Sequence, residues 1–333
     1  MCTDRLCRIP LVTCVVAVAV AWCAEAIPTR GDARALASVA RTDTSEPPLI
    51  VYQVLTDGLW TVQRNGESHR SIVPGAGDPA WAPDGSRLLY TTGSLFSARP
   101  DGSDQRLIID PVRLHSPGSD VYGVSSPAWA PNGRRVAFVG QGEDANERST
   151  SDIFTASLSG SHVRRLRSGR DPAWSADGRR LYFMLDPRRR GNFSSRIATM
   201  RRDGTGVRVL LGNARGYRRD LEISPDGRKL AYLETRSAPG YQASLIRIRN
   251  LGTGRTRTIP WSNTGSVSAI AWTPGGRIAY IQNTTTLVPA RSAPSPIETI
   301  RPDGTGRRRE LVLPYDEYYG TWATELAWQP KQH

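Results

Sequence analysis

The sequence predicts an all-β fold, a six-bladed β-propeller of four-stranded antiparallel blades, on three observations. A phrase recurs along the chain. It reads Asp78-Pro79-Ala80-Trp81-Ala82-Pro83-Asp84-Gly85, then Ser126-Pro127-Ala128-Trp129-Ala130-Pro131-Asn132-Gly133, then Asp171-Pro172-Ala173-Trp174-Ser175-Ala176-Asp177-Gly178. Looser copies end at Gly227 and Gly276, so the closing glycines stand 48, 45, 49 and 49 residues apart. Self-similarity at this period signals stacked supersecondary units, and the length suits a four-stranded blade. The second observation is a shared internal order in every unit, and the third is that the two ends of the repeat region complete one another.

Each unit opens with a short apolar strand that ends in Pro-Asp-Gly chemistry, as at Pro83-Asp84-Gly85. Proline presets φ, Asp bonds back to its own backbone and Gly accepts positive φ, so a turn is expected there. A run of branched and aromatic residues follows, such as Leu88-Leu89-Tyr90, Val136-Ala137-Phe138 or Leu230-Ala231-Tyr232, which suits a buried strand. A third strand leads to a second turn at Asn65-Gly66, Asp101-Gly102, Ser159-Gly160, Asp203-Gly204, Gly252-Thr253-Gly254 or Asp303-Gly304. These are hairpin signals. A fourth strand such as Arg106-Leu107-Ile108-Ile109 completes the blade.

The first unit begins at Leu49-Ile50-Val51-Tyr52 with a second-type strand and no first strand before it. The last begins at Glu325-Leu326-Ala327-Trp328-Gln329-Pro330 and stops. Pairing the C-terminal strand with the N-terminal blade closes the ring at six blades and removes two exposed sheet edges.

The recurring Pro-Ala-Trp-Ser/Ala-Pro-Asp-Gly phrase with its Asp-Gly hairpin resembles the WD40-like (PD40) repeats of the TolB-type β-propeller family, over roughly residues 49–330. The α/β domain that precedes the propeller in the family's eponym has no counterpart in residues 27–48, which are too few for one. The resemblance implies the fold and a binding role.

Residues 1–26 read as a secretory signal peptide. Arg5 and Arg8 form a positive start, residues 11–22 an apolar run, and Ala24-Glu25-Ala26 a small-x-small cleavage site. All four cysteines (Cys2, Cys7, Cys14, Cys23) fall inside it, so a chain cleaved near Ala26 has neither disulfides nor thiol chemistry. Lipidation at Cys23 is the alternative, against which bulky Trp22 stands. Residues 27–48 read as a flexible tether, and 49–333 as the propeller. The expected location is therefore exported: periplasmic, cell-envelope or secreted.

Lys and Arg number 44 against 31 Asp and Glu, for a formal charge of +13. A basic surface suits anionic lipid or an envelope polymer better than nucleic acid, which an exported protein seldom meets. The arginines, with Arg218-Arg219 and Arg307-Arg308-Arg309 among their clusters, are spread over every blade, which favours reading them as decoration of outer strands and turns for solubility. A monomer is expected.

Topology separates two faces. One carries the short turns. The other carries nearly every insertion: 140–152, 186–195, 235–244 and 282–296, with the connections 110–124, 212–219, 260–267 and 314–324. Insertions gathered on one face of a repeat protein commonly mark its binding face. Tyr122, Phe193, Tyr217, Tyr241, Trp261, Tyr315, Tyr318, Tyr319 and Trp322 lie in them. The cluster Tyr315, Tyr318, Tyr319 and Trp322 is the leading aromatic candidate, because Tyr and Trp give large contact area at low entropic cost. Packing within their own loops is the alternative.

Repeat register yields a second candidate. The innermost strands start at Asp78, Ser126, Asp171, Asp220, Ala269 and Glu325, which should ring the tunnel mouth on the loop-rich face. Converging carboxylates attract a basic peptide or coordinate Ca²⁺; alternatively each accepts backbone N–H groups and locks neighbouring blades. No other cofactor is implied.

Catalytic signals are poor. His69, His115, His162 and His333 are scattered, and neither a zinc-binding HExxH nor a Gly-x-Ser-x-Gly elbow occurs. His115 alone lies in a long connection of the loop-rich face. The expected function is a non-enzymatic, exported module that binds a peptide, protein or envelope ligand. The alternatives are an extracytoplasmic carbohydrate lyase or hydrolase using the acidic ring, and a wall-associated protein held by arginine–anion contacts.

Overall fold

The computed structural model describes residues 49–330, except 56, 186–194, 213, 215, 239–240, 260–265, 284–295 and 314–322. The signal and tether readings of residues 1–48, and the aromatics Tyr315, Tyr318, Tyr319 and Trp322, lie outside the described residues, as do Phe193 and Trp261.

Six four-stranded antiparallel sheets are formed, and each runs inward to outward in chain order except the first. That blade takes its innermost strand, Ala323–Trp328, from the far end of the chain. It pairs with Leu49–Val54 in the register Ile50 opposite Trp328 and Tyr52 opposite Leu326. Counting from this composite blade 1, blades 2 to 6 have the innermost strands Gly77–Trp81, Ser119–Trp129, Arg170–Trp174, Tyr217–Ile223 and Ser266–Trp272.

The interior divides into six apolar clusters, one between each pair of neighbouring blades. The second strands supply most of the largest side chains that are almost completely buried: Tyr52, Tyr90, Phe138, Phe183, Tyr232 and Tyr280. These aromatics come from the runs the sequence marks as buried strands, and each removes large apolar area from water. The hairpin glycines are required where turns press on the neighbouring blade. Gly160 has φ +73, and a Cβ there would lie 2.2 Å from the Ile108 carbonyl oxygen.

Two expected loops are ladders instead. Over 140–152 the chain continues as paired strands Arg135–Asp144 and Ser149–Ser157, and over 235–244 as Lys229–Ala238 and Tyr241–Asn250. The small residues Gly140 and Gly142 allow close strand approach: a Cβ on Gly142 would lie 2.3 Å from the Asp120 carbonyl oxygen. The connection 110–124 likewise holds a short 3₁₀ turn, Pro111–Arg113, and the start of the strand Ser119–Trp129.

Candidate functional site

The innermost strands line a central tunnel of about 360 Å³. The recurring tryptophans stand in its wall as interblade struts. Trp81 donates its indole N–H to the Ala327 carbonyl oxygen (3.3 Å), Trp129 to Ala80 (3.1 Å), Trp174 to Ala128 (3.2 Å) and Trp272 to Glu222 (3.1 Å). Each thus joins its blade to the one before. Trp81, Trp174, Trp272 and Trp328 are buried, and Trp129 is partly buried.

Asp78, Ser126, Asp171, Asp220, Ala269 and Glu325 all line the same tunnel, as their register requires. The local geometry was not legible in the alternation. In blades 2 to 5 the ladder breaks where the recurring phrase starts: the pairing slips between Gly77 and Ala80, Ser125 and Ala128, Arg170 and Ala173, and Arg219 and Glu222. Asp78, Ser126, Asp171 and Asp220 sit in these bulges with φ of 53, 48, 46 and 55°. Asp tolerates the left-handed region better than most residues, and a bulge re-aims its side chain.

Several mouth groups join blades. Glu325 accepts the backbone N–H of Asp78, and Asp78 in turn accepts Thr91 Oγ1 at 2.7 Å. Ser126 Oγ lies 3.4 Å from Asp171 Oδ1. Ser268 Oγ donates to the Ala323 carbonyl oxygen at 2.7 Å. Locking of neighbouring blades is therefore one role of this ring.

Two mouth residues escape the sequence reading. Arg219, grouped there with surface arginines, is tied to the tunnel wall through its neighbour. It pairs with Asp220 Oδ2 (2.9 Å) and donates to the Ser268 and Val267 carbonyl oxygens at 2.6 and 3.1 Å. Its neighbour Arg218 is buried, paired with Glu234 at 3.3 Å and stacked over Tyr232. The reading of the arginines as outer decoration is corrected at both positions. The second missed residue is Glu222, at a level of the tunnel where the other five blades carry Ala80, Ala128, Ala173, Ala271 and Ala327. Aligning the repeats would have exposed it.

The electrostatics follow from crowding. Burial pushes the Asp220 carboxyl up to about 6; Arg219 opposes this, while Asp171 and Asp78 add to it. Burial, then the Asp220 charge, pushes Glu222 up to about 8. Burial, then Asp78 and Asp220, holds Glu325 well above the ordinary range. The Asp220 side chain nevertheless keeps 28% exposure, so its charge remains accessible. Among the described residues no three His, Cys, Asp or Glu side chains group so as to hold a metal ion, which gives the calcium reading no support.

The aromatics within the described residues divide. Tyr122 is 59% exposed. Tyr217 is engaged: the Arg170 guanidinium lies over its ring, 4.8 Å from the centroid, and hydrogen-bonds its hydroxyl. His115 is exposed, while His69 stacks on Trp60 (4.7 Å between centroids) and bonds the Tyr52 hydroxyl.

No family model matches the chain, and no curated protein matches it. Among solved structures it is similar to TolB from Acinetobacter baumannii, with 21% identity over 85% of this chain and 67% of that one (TM-score 0.61). It is also similar to a chain of a nidogen/laminin complex, at 13% identity over 86% of this chain and 99% of that one (TM-score 0.59). A third is the oligogalacturonate lyase of Vibrio parahaemolyticus, at 10% identity over 80% of each chain (TM-score 0.53). At these identities the likeness is one of fold, and the chain is a six-bladed β-propeller resembling the propeller of TolB.

Proposed function

We propose that this chain is an exported binding module of the TolB-type WD40-like repeat family, which takes a basic segment of a peptide or protein at the acidic mouth of its tunnel. One observation carries the reading: Asp78, Asp171, Asp220, Glu222 and Glu325 share one tunnel, with Arg219 paired to Asp220 at its mouth. Crowded carboxylates that raise one another's proton affinity are relieved by an incoming cation, and a concave wall focuses their field. The loop residues Tyr318 and Trp322 would add apolar contact around the mouth.

The test begins with affinity capture from an extracytoplasmic extract, followed by association kinetics with the recovered partner. Asp171→Asn with Asp220→Asn should slow association, more strongly at low salt, because charge steers encounter. Tyr318→Ala with Trp322→Ala should raise the off-rate. Arg308→Gln with Arg309→Gln, on the opposite face, should change neither. Association unaltered by the two asparagines at low salt would sink the reading.

An enzyme acting through the acidic ring is the second reading, and the pairing of Asp220 near 6 with Glu222 near 8 favours it. Two carboxyl groups held apart in proton affinity are what acid–base catalysis needs. Turnover of an oligosaccharide that vanishes in Glu222→Gln would select this reading over the first.

A further inference from the structure

Blade 2 and blade 6 place three arginines at matching positions. In blade 2 they converge on one carboxylate: Arg87 reaches Asp104 Oδ2 at 2.7 Å, Arg106 at 3.0 Å and Arg99 at 3.8 Å. Asp104 sits in the hairpin turn with φ 50°. In blade 6 the equivalents are Arg277, Arg308 and Arg301. The register confirms this, since Ser97 faces Arg106 and Thr299 faces Arg308. The anchoring contacts repeat as well. Arg87 donates to Ser97 Oγ (3.1 Å) and the Asp104 carbonyl oxygen; Arg277 donates to Thr299 Oγ1 (3.0 Å) and the Gly306 carbonyl oxygen. The carboxylate is what differs. Its position is Gly306, at φ +62, nearly the backbone conformation of Asp104.

The arginine set is therefore retained without its carboxylate. A Cβ built on Gly306 would lie 3.2 Å from an Arg301 guanidinium nitrogen, so that group occupies the space where the missing side chain would project. Among the described residues neither Arg277, Arg301 nor Arg308 forms an ion pair with a carboxylate. Glu310, which bears on Arg277, is held by Arg64 at 2.8 Å and by Thr299 Oγ1 at 2.6 Å. Burial, then the charges of Arg308 and Arg301, lowers the proton affinity of Arg277, and the Glu310 charge only partly opposes this. Arg277 and Arg301 also line a groove of about 900 Å³ whose other wall, from blade 5, carries Lys229, Arg255 and Arg257. Among the described residues Asp303 is its one acidic lining residue, and that carboxylate already accepts the backbone N–H and hydroxyl of Thr305.

We propose that Arg277, Arg301 and Arg308 around Gly306 form an oxyanion site for a phosphate group, and that the adjoining basic groove extends it to a ligand carrying several phosphates. The guanidinium fork matches phosphate oxygens, and a phosphate bears the charge and acceptors that Asp104 supplies in blade 2. This site lies among the short turns, on the face opposite the acidic mouth, and is independent of the function proposed above. Blade 4 repeats the arginines as Arg180, Arg201 and Arg208 around Gly206, also at φ +62.

Calorimetric titration of the full chain with tripolyphosphate tests the proposal, at low salt and at about 0.15 M salt, where exposed charges are screened beyond roughly 8 Å. Saturable binding is expected. Gly306→Asp restores the blade 2 arrangement in a turn that already accepts Asp, and should remove the blade 6 binding equivalent or weaken it roughly tenfold or more. Arg301→Gln with Arg308→Gln should do the same while leaving that turn untouched, so a folding defect in the first variant does not decide the matter. Asp104→Gly should add a binding equivalent in blade 2. Vesicles containing phosphatidic acid form a second arm: capture lost in Gly306→Asp assigns the phosphate to a lipid headgroup, and capture unchanged assigns it to a free polyanion. Wild-type affinity and wild-type stoichiometry for tripolyphosphate in both blade 6 variants, or loss only in Gly206→Asp, overturns the proposal.

Discussion

Glu325, on the last strand of the chain, accepts the backbone N–H of Asp78, 247 residues away at the innermost strand of blade 2. The strand that closes the ring therefore also contributes a carboxylate to the tunnel mouth and fixes the blade beside it. Closure and the candidate site depend on the same six residues, Ala323–Trp328.

Removing residues 323–333 should undo both. Blade 1 would lose the pairing of Leu49–Val54 and the buried contacts of Ala323, Leu326 and Trp328. We expect loss of cooperative unfolding and a tendency to aggregate through the uncovered edge. Thermal denaturation followed by circular dichroism checks this, and a melt like that of the full chain would mean that closure is dispensable.

Trp174→Ala should destabilise by about 3–5 kcal/mol, the usual cost of emptying a large aromatic site. Trp174 packs between blades 3 and 4 and spans to the Ala128 carbonyl oxygen. Trp174→Phe keeps most of the packing but strands that carbonyl group, and should cost about 1–3 kcal/mol. Urea unfolding of the two variants separates packing from the hydrogen bond.

Arg218→Ala should cost about 1–3 kcal/mol, because the buried Glu234 loses one guanidinium partner and keeps Arg247. Glu234 is 4% exposed and also holds Arg247 at 3.0 Å. Burial alone would raise its proton affinity, but the Arg247 bond and the charges of Arg247 and Arg218 outweigh that and hold it below the ordinary range. The sign follows: a depressed carboxyl stabilises the fold above its unfolded value, and this contribution is lost as pH falls through the folded one. Acid unfolding should therefore begin at higher pH in Arg218→Ala than in the wild type.

The tunnel carboxyls should act in the opposite sense. Glu222, raised from 4.5 to about 8, binds a proton more tightly when folded, so its ionisation costs stability as pH rises across that window. Glu222→Gln should remove the cost, adding about 1–3 kcal/mol at pH 8.5 and little at pH 4, a figure set below the full shift because the tunnel is open. Asp220→Asn should lower the Glu222 titration without returning it to 4.5, since burial is the larger cause. Carbon-detected NMR of labelled carboxyls reads both values.

Binding of a basic segment should carry the same signature. As pH rises past about 6 and then about 8, Asp220 and Glu222 become charged. Association with the captured partner should quicken over that range and flatten in the Asp220→Asn, Glu222→Gln double variant, as stopped-flow fluorescence would show. A rate independent of pH between 5.5 and 8.5 would count against the mouth.

The sequence by itself determined the architecture. Turn chemistry at Asp84-Gly85 and its repeats, the buried runs ending in Tyr90 or Tyr232, and the orphan strand at Glu325 are local signals, each written within a few residues. It also placed Asp78, Ser126, Asp171, Asp220 and Glu325 in one ring, because a closed repeat maps register onto position. Only the tertiary structure decided what those positions do. Arg218 and Arg219 are adjacent in sequence, yet one is buried against Glu234 and the other clasps Asp220 across to blade 6, because a strand sends successive side chains to opposite faces. The bulges that hold Asp78 and Asp220 at positive φ were masked by an apparently regular strand. Gly306 reads as an ordinary turn glycine until the fold brings three arginines around it. Charge acts through space, and residues far apart in the chain become neighbours only when the ring is closed.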